Sequence, residues 1–150
     1  MSDLTLDQAK TIVRHALSAG RGSDCAPLTV AVLDAGGHMK CFAREDGSGI
    51  LRPDIASGKA WGALGMGFGS RTLFDRSRSS DKSRMFFTAL GSVSGGRVIP
   101  VPGGVLIRDA EGRIAGAVGI SGDTSEKDEA CAIAGIEAAG LTADPGGAPS

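Results

Sequence analysis

The run Leu28-Thr-Val-Ala-Val-Leu-Asp34, the link Ala35-Gly-Gly37 and the return His38-Met-Lys-Cys-Phe-Ala-Arg44 spell two strands around a tight turn. Aliphatic and β-branched side chains suit a pleated, buried surface, and the paired glycines supply the backbone freedom that a hairpin needs. A second hairpin follows the same plan, with Val105 to Arg108, the loop Asp109-Ala-Glu-Gly112, and Arg113 to Ile120. Strands joined this way, with no strand–helix–strand crossover, specify an antiparallel sheet.

Helical patterns flank both hairpins. Thr5-Leu-Asp-Gln8 is a capping box, after which Leu6, Ala9, Ile12, Val13, Ala16 and Leu17 recur at helical spacing up to Gly20. Pro53 suits the first turn of a second helix, whose Ile55, Ala56, Ala60, Ala63 and Leu64 make a stripe of mostly small side chains ending near Gly65. Small residues permit close approach, so this stripe, anchored by Trp61, is the expected contact face of a homo-oligomer. Ser70 to Ser83 predicts a short helix mixed with exposed loop. Arg97-Val-Ile-Pro-Val-Pro102 is expected to be a further extended strand before Gly103-Gly104 bends the chain. Ser121-Gly-Asp-Thr-Ser125 leads into a last helix carried by Ala130, Ile133, Ala134 and Ile136. Residues 142–150 read as a flexible tail. The expected fold is therefore α+β, a single domain over residues 1–150 with its core at 4–141, built on one antiparallel β-sheet of about five strands flanked by helices.

Composition narrows the function. In 150 residues, 41% are hydrophobic and 22% charged, enough to build a core without reaching the composition of a membrane span. A formal net charge of -1 and 4% aromatic residues, with Trp61 the single tryptophan and no tyrosine, argue against a nucleic-acid or anionic-membrane partner. Cys25, Cys41 and Cys131 are odd in number and widely spaced, which supports neither a disulfide framework nor a zinc site. With no basic-then-apolar leader after Met1-Ser2-Asp3, a reducing cytoplasm is the expected compartment.

Candidate site residues cluster in a few places. Ser121 and Asp123 lie in a strand-to-helix loop whose free N–H groups suit an anion, although Thr124 and Ser125 would equally make it a plain helix cap. Pro102, Gly103 and Gly104 fix the backbone and leave no side chain in the way, as a ligand wall or a strand corner would require. Lys59 and Arg97 are candidate carboxylate holders, and Asp54 and Glu129 candidate proton-transfer groups. Asp123, Asp128 and Glu129, with Glu126 nearby, are also sufficiently explained by the dipole of the last helix. His15 falls with Thr11, Arg14 and Ser18 on the polar face of the first helix. His38 and Cys41, three apart on one strand, point to opposite faces and make no nucleophilic pair. No histidine spacing suggests a metal site.

Four segments in order, Val30 to His38, Ile55-Ala-Ser-Gly-Lys-Ala60, Pro102-Gly-Gly-Val105 and Ile114 to Gly122 before Asp128-Glu129, together resemble the GlcG/HbpS family of haem-binding-type domains. They are also similar to the C-terminal domain of PduO-type corrinoid adenosyltransferases. The resemblance implies a profilin-like fold, oligomers, and a pocket bounded by the first helices and the glycine-glycine loop, linked in several members to haem or corrinoid chemistry. Secreted haem-binding members carry a threonine after the paired glycines. Val105 stands there in this chain and has no lone pair for iron, which leaves His38 and His15 as the candidate haem ligands. Gly65 to Arg71 and Gly95 to Gly104 resemble a subgroup associated with catabolic gene clusters for small organic acids.

Two functional classes follow. One is a binding module for a small molecule, with haem or a related planar cofactor as the ligand that the resemblance implies. The other is an enzyme, a hydrolase, isomerase or lyase, acting on a carboxylic-acid intermediate of aromatic-compound degradation. A scaffold without ligand is the residual third.

Overall fold

A computed structural model describes residues 3–147. The order of elements is α1 (Leu6–Gly22), β1 (Thr29–Asp34), β2 (Met39–Arg44), α2 (Arg52–Met66), α3 (Ser70–Ser77), α4 (Asp81–Val93), β3 (Gly104–Arg108), β4 (Ile114–Ser121), α5 (Ser125–Ala138) and β5 (Thr142–Asp144). The strands form one antiparallel sheet in the order β2-β1-β4-β3-β5, so the fold is α+β.

Alternation along the central strands assigns a helix layer to each face. Val30 and Val32 of β1, Val105 and Ile107 of β3 and Val118 and Ile120 of β4 pack with Ile12, Val13 and Ala16 of α1 and with Cys131, Ala132 and Ile136 of α5. On the opposite face Leu33, Leu106 and Ala117 meet Ala60 and Ala63 of α2. This second layer is unusually tight. A Cβ on Gly119 would overlap the Ala56 carbonyl oxygen, and one on Gly104 the carbonyl of Lys59, so helix backbone rests directly on strand backbone. The small residues of α2 are thereby consumed within the chain: Ala56, Gly58, Ala60, Gly62 and Ala63 are all buried. That corrects the expectation that this stripe forms an oligomer face.

Local signals explain most boundaries. Both halves of the Thr5–Gln8 capping box are formed, and Gly67, left-handed at φ 77°, ends α2. In the β1–β2 turn, Asp34 Oδ1 accepts from the N–H groups of Gly36 and His38, both at 3.0 Å, while Gly37 takes φ 84°. Ser80 caps α4, which continues the chain well beyond the short helix and loop expected there.

Three further expectations differ from the structure. Arg97–Pro102 joins no ladder, because Pro100 and Pro102 have no N–H to give; it lies against α2 instead, with the Ile99 N–H directed at the Gly58 carbonyl at 3.4 Å. The fifth strand is β5, inside the segment read as a loose tail: it pairs with β3, and Arg108 Nε donates to Asp144 Oδ2 at 2.8 Å. Residues 148–150 of that tail lie outside the described residues. On α5 the buried stripe is Asp128, Cys131, Ala132, Gly135 and Ile136, whereas Ala130 is exposed.

Candidate functional site

The outer side of α2, the β1–β2 turn and the segment from Gly95 to Ile99 enclose a cleft of about 400 Å³. Its apolar surface comes from Leu33, Met39, Leu51, Ile55, Trp61 and Ile99, and its polar groups from Asp54, Ser57 and Arg97. Close backbone approach builds it. Gly58 has no side chain to collide with Ile99, so the 97–99 segment can lie against the helix. Gly37 brings the hairpin turn so near Trp61 that a Cβ there would sit 3.5 Å from the indole Nε1. Gly95 and Gly96, left-handed at φ 68° and 78°, turn the chain back from α4 and aim Arg97 over the indole.

The Arg97 guanidinium carbon stands 3.7 Å from the Trp61 ring centroid. Stacking of this kind holds a cation without neutralising it. Among the described residues Arg97 forms no ion pair, and neither does Asp54. The cleft therefore presents one uncompensated cation and one uncompensated carboxylate over an apolar floor.

Of the residues singled out in the sequence, the cleft brings together Arg97 and Asp54. His38 does not line it, although its sequence neighbours Gly37 and Met39 do; its side chain is 83% exposed, with Nδ1 3.5 Å from Asp34 Oδ1. His15 is remote on α1, across the sheet, with Nδ1 3.0 Å from the Thr11 carbonyl. Lys59 is turned inward: Nζ donates to the Ile120 carbonyl at 2.8 Å and to Asp128 Oδ2 at 3.2 Å. Glu129 is held by Arg71, whose Nε and Nη2 donate to its two oxygens at 2.9 and 3.0 Å.

Pro102, Gly103 and Gly104 are buried and form the corner entering β3: Gly103 accepts from Ile120 at 3.0 Å, and Gly104 donates to Ser70 Oγ at 2.7 Å. Ser121 Oγ accepts from Arg52 at 3.0 Å. Asp123 accepts from the Ala26 and Thr124 N–H groups, both at 2.7 Å, and these bonds hold its carboxyl below the usual value. The groups at the start of α5 thus serve the fold and do not face the cleft. Val105 is fully buried with α1 and α5, on the face opposite the cleft.

Sequence reasoning missed the cleft role of Trp61, Ser57 and Ile99. The available signal was the pair Gly95-Gly96 immediately before an arginine, which permits a left-handed turn there without requiring one. Among the described residues no three His, Cys, Asp or Glu side chains gather as a metal site, and no helix is long and apolar enough to cross a membrane.

Residues 4–137 match the family described as "Haem degrading protein HbpS-like". The chain belongs to this family. Several solved structures share the HbpS-like fold. A PduOC:haem complex is 24% identical, with 93% of this chain and 97% of that one covered at a TM-score of 0.82. The Klebsiella pneumoniae protein ORFY is 23% identical, with 93% of each chain covered at 0.83. A double mutant of Streptomyces reticuli HbpS is 26% identical, with 91% of this chain and 87% of that one covered at 0.76. No curated protein matches the chain.

Proposed function

We propose that this HbpS-like chain is a small-ligand-binding protein whose α2 cleft takes a flat, carboxylate-bearing molecule, with haem as the ligand its family membership favours. The observation that carries this reading is Arg97, a cation parked on an indole with no carboxylate partner among the described residues, beside an apolar wall. The residues fit the group. Arg97 would hold a propionate, Trp61, Leu33 and Ile99 would meet the porphyrin, and His38 is the nearest imidazole. Haem, when bound, supplies an iron open to exchangeable ligands, while the chain binds and orients it.

Titration of the purified protein with haemin, followed by the Soret band and by emission of the lone Trp61, tests this. Arg97→Ala should weaken binding roughly tenfold or more, since a charge-assisted bond contributes about 1.5–3 kcal/mol. Wild-type affinity in that variant would overturn the assignment of the cleft.

One observation favours a second reading. Asp54 and Arg97 line the same cleft without pairing, an arrangement suited to proton transfer on a carboxylic acid held by the arginine. Its substrate would be a small acid of the catabolic kind that the sequence likeness implies. Exchange of the α-protons of small carboxylic acids in D2O, measured by NMR, should be accelerated by the wild type and lost in Asp54→Asn. No acceleration over buffer would remove this reading.

A further inference from the structure

On the face of the sheet opposite the cleft, the structure brings Cys25 and Cys131 together, although they are remote in sequence. Cys25 closes the loop after α1, its N–H donating to the Gly20 carbonyl at 2.9 Å. The position where a Gly20 side chain would begin lies 3.8 Å from Cys131 Sγ, so Cys25 and Cys131 approach each other across this one glycine. Both are buried, at 4% and 3% exposure, in one apolar cluster. The residues flanking Cys25 in the loop are open to solvent. Ser23, Asp24 and Ala26 are exposed, and Asp24 holds the uncommon left-handed φ of 57°. Cys41, the remaining cysteine, lies on the edge strand β2.

We propose that Cys25 and Cys131 form a peroxide-reactive dithiol site that is reversibly oxidised to an intramolecular disulfide. Cys25, on the loop with solvent-exposed flanks, reacts first. Its thiol gives a proton to solvent, its sulfur attacks one oxygen of a hydroperoxide, and the O–O bond breaks. The departing oxygen takes up a proton and leaves as an alcohol, or as water when the oxidant is hydrogen peroxide. The Cys131 sulfur then attacks the resulting Cys25 sulfenic acid, the S–O bond breaks, and the Cys131 proton leaves with the hydroxyl as water. Two thiols and one hydroperoxide yield one disulfide, one alcohol and one water, and a dithiol reductant reverses the change. Burial above all, with Cys25 beside it, pushes the Cys131 thiol up to about 12, which suits the resolving partner more than the first nucleophile. Cross-linking the α1–β1 loop to α5 closes a long stretch of chain, so the oxidised form should resist unfolding.

The test treats the full chain with hydrogen peroxide, blocks residual thiols, and reads intact mass, peptide map and thermal midpoint. The expected product is monomeric, lighter by two hydrogens, linked Cys25 to Cys131, reversed by dithiothreitol, and melts several degrees higher. Cys41→Ser should retain all of this, whereas Cys25→Ser and Cys131→Ala should each abolish the cross-link. Circular dichroism checks folding, and the loop variant Cys25→Ser decides the matter if Cys131→Ala does not fold. Oxygen atoms added at Cys25 without a cross-link, dimers joined through Cys41 as the sole product, or unreacted thiols would overturn the proposal.

Discussion

The Lys59 ammonium lies 3.2 Å from Asp128 Oδ2, with the two side chains only 3% and 1% exposed. This contact ties α2, the helix that forms the cleft wall, to the start of α5 on the other side of the sheet. Neither group lacks further partners, since Nζ also donates to the Ile120 carbonyl and Asp128 Oδ1 accepts from the Asp123 N–H at 3.0 Å. Burial pulls Lys59 below its ordinary value and pushes Asp128 above its own, each shift being opposed by the partner's charge. Desolvation therefore offsets much of the attraction. The pair is expensive to break and contributes little net stability as a pair.

Removing one partner should accordingly cost more than removing both. Lys59→Met is expected to destabilise the fold by about 3–5 kcal/mol, because it strands a buried carboxylate, while Lys59→Met combined with Asp128→Leu should recover a large part of that loss. Urea unfolding of the two single variants and the double variant measures the coupling. Additive losses would mean that the two side chains act independently.

The close contact between α2 and the sheet predicts opposite effects for two glycine substitutions. Gly119→Ala would drive a methyl into the Ala56 carbonyl, where neither strand nor helix backbone can yield, and should cost about 1–3 kcal/mol or more. Gly65→Ala, within α2 and facing open space, should raise stability by up to about 1 kcal/mol through helix propensity. Thermal melts of both variants check the contrast, and equal destabilisation would show that α2 is not seated as described.

These positions also show how far the sequence could be read. Both hairpins, the capped first helix and the last helix were legible because their signals are local: alternating apolar residues, turn glycines, a capping box. What the small residues of α2 pack against was not, since close approach looks the same in sequence whether the neighbour is the chain's own sheet or another subunit. Lys59 likewise reads as a solvated or ligand-facing cation until Asp128, far along the chain, is placed against it. The short β5 strand carries no periodicity to detect, and its pairing depends on β3 and on the Arg108–Asp144 contact. Within the site, Arg97 and Asp54 were legible as charges, but the Trp61 floor needed the left-handed turn at Gly95 and Gly96 to be seen in space.

Acid stability should depend in part on the β1–β2 turn. Asp34 accepts from the backbone N–H groups of His38 and Gly36, and chiefly the His38 bond holds its carboxyl below the ordinary 3.8. A folded value lower than the unfolded one means that the unfolded chain binds the proton more readily. The contribution is therefore complete above the unfolded value and disappears as the pH falls through the folded one. Asp123, held low by the Ala26 and Thr124 amides, adds in the same direction. Asp34→Asn keeps an acceptor oxygen but cannot titrate, so its urea midpoint should fall less between neutral pH and about pH 3 than that of the wild type. A parallel fall would show that the turn does not contribute to acid unfolding.

The two histidines give different answers to haemin. His38 lies in sequence between Gly37 and Met39, which line the cleft, and its exposed imidazole can leave Asp34 without disturbing the core. His15 belongs to α1 on the opposite side of the sheet, where Nδ1 lies 3.0 Å from the Thr11 carbonyl, and no residue of the cleft is near it in sequence. Iron seated at the cleft should then take His38 as its protein ligand, and no tyrosine exists to replace it. His38→Ala should shift the Soret band to that of a weakly ligated haem and reduce affinity, whereas His15→Ala should leave spectrum and affinity unchanged. The comparison needs both variants folded, which their exposure favours and circular dichroism establishes. If His15→Ala alone removes the band, haem binds at the α1 surface, and the cleft between Arg97 and Trp61 serves a different ligand.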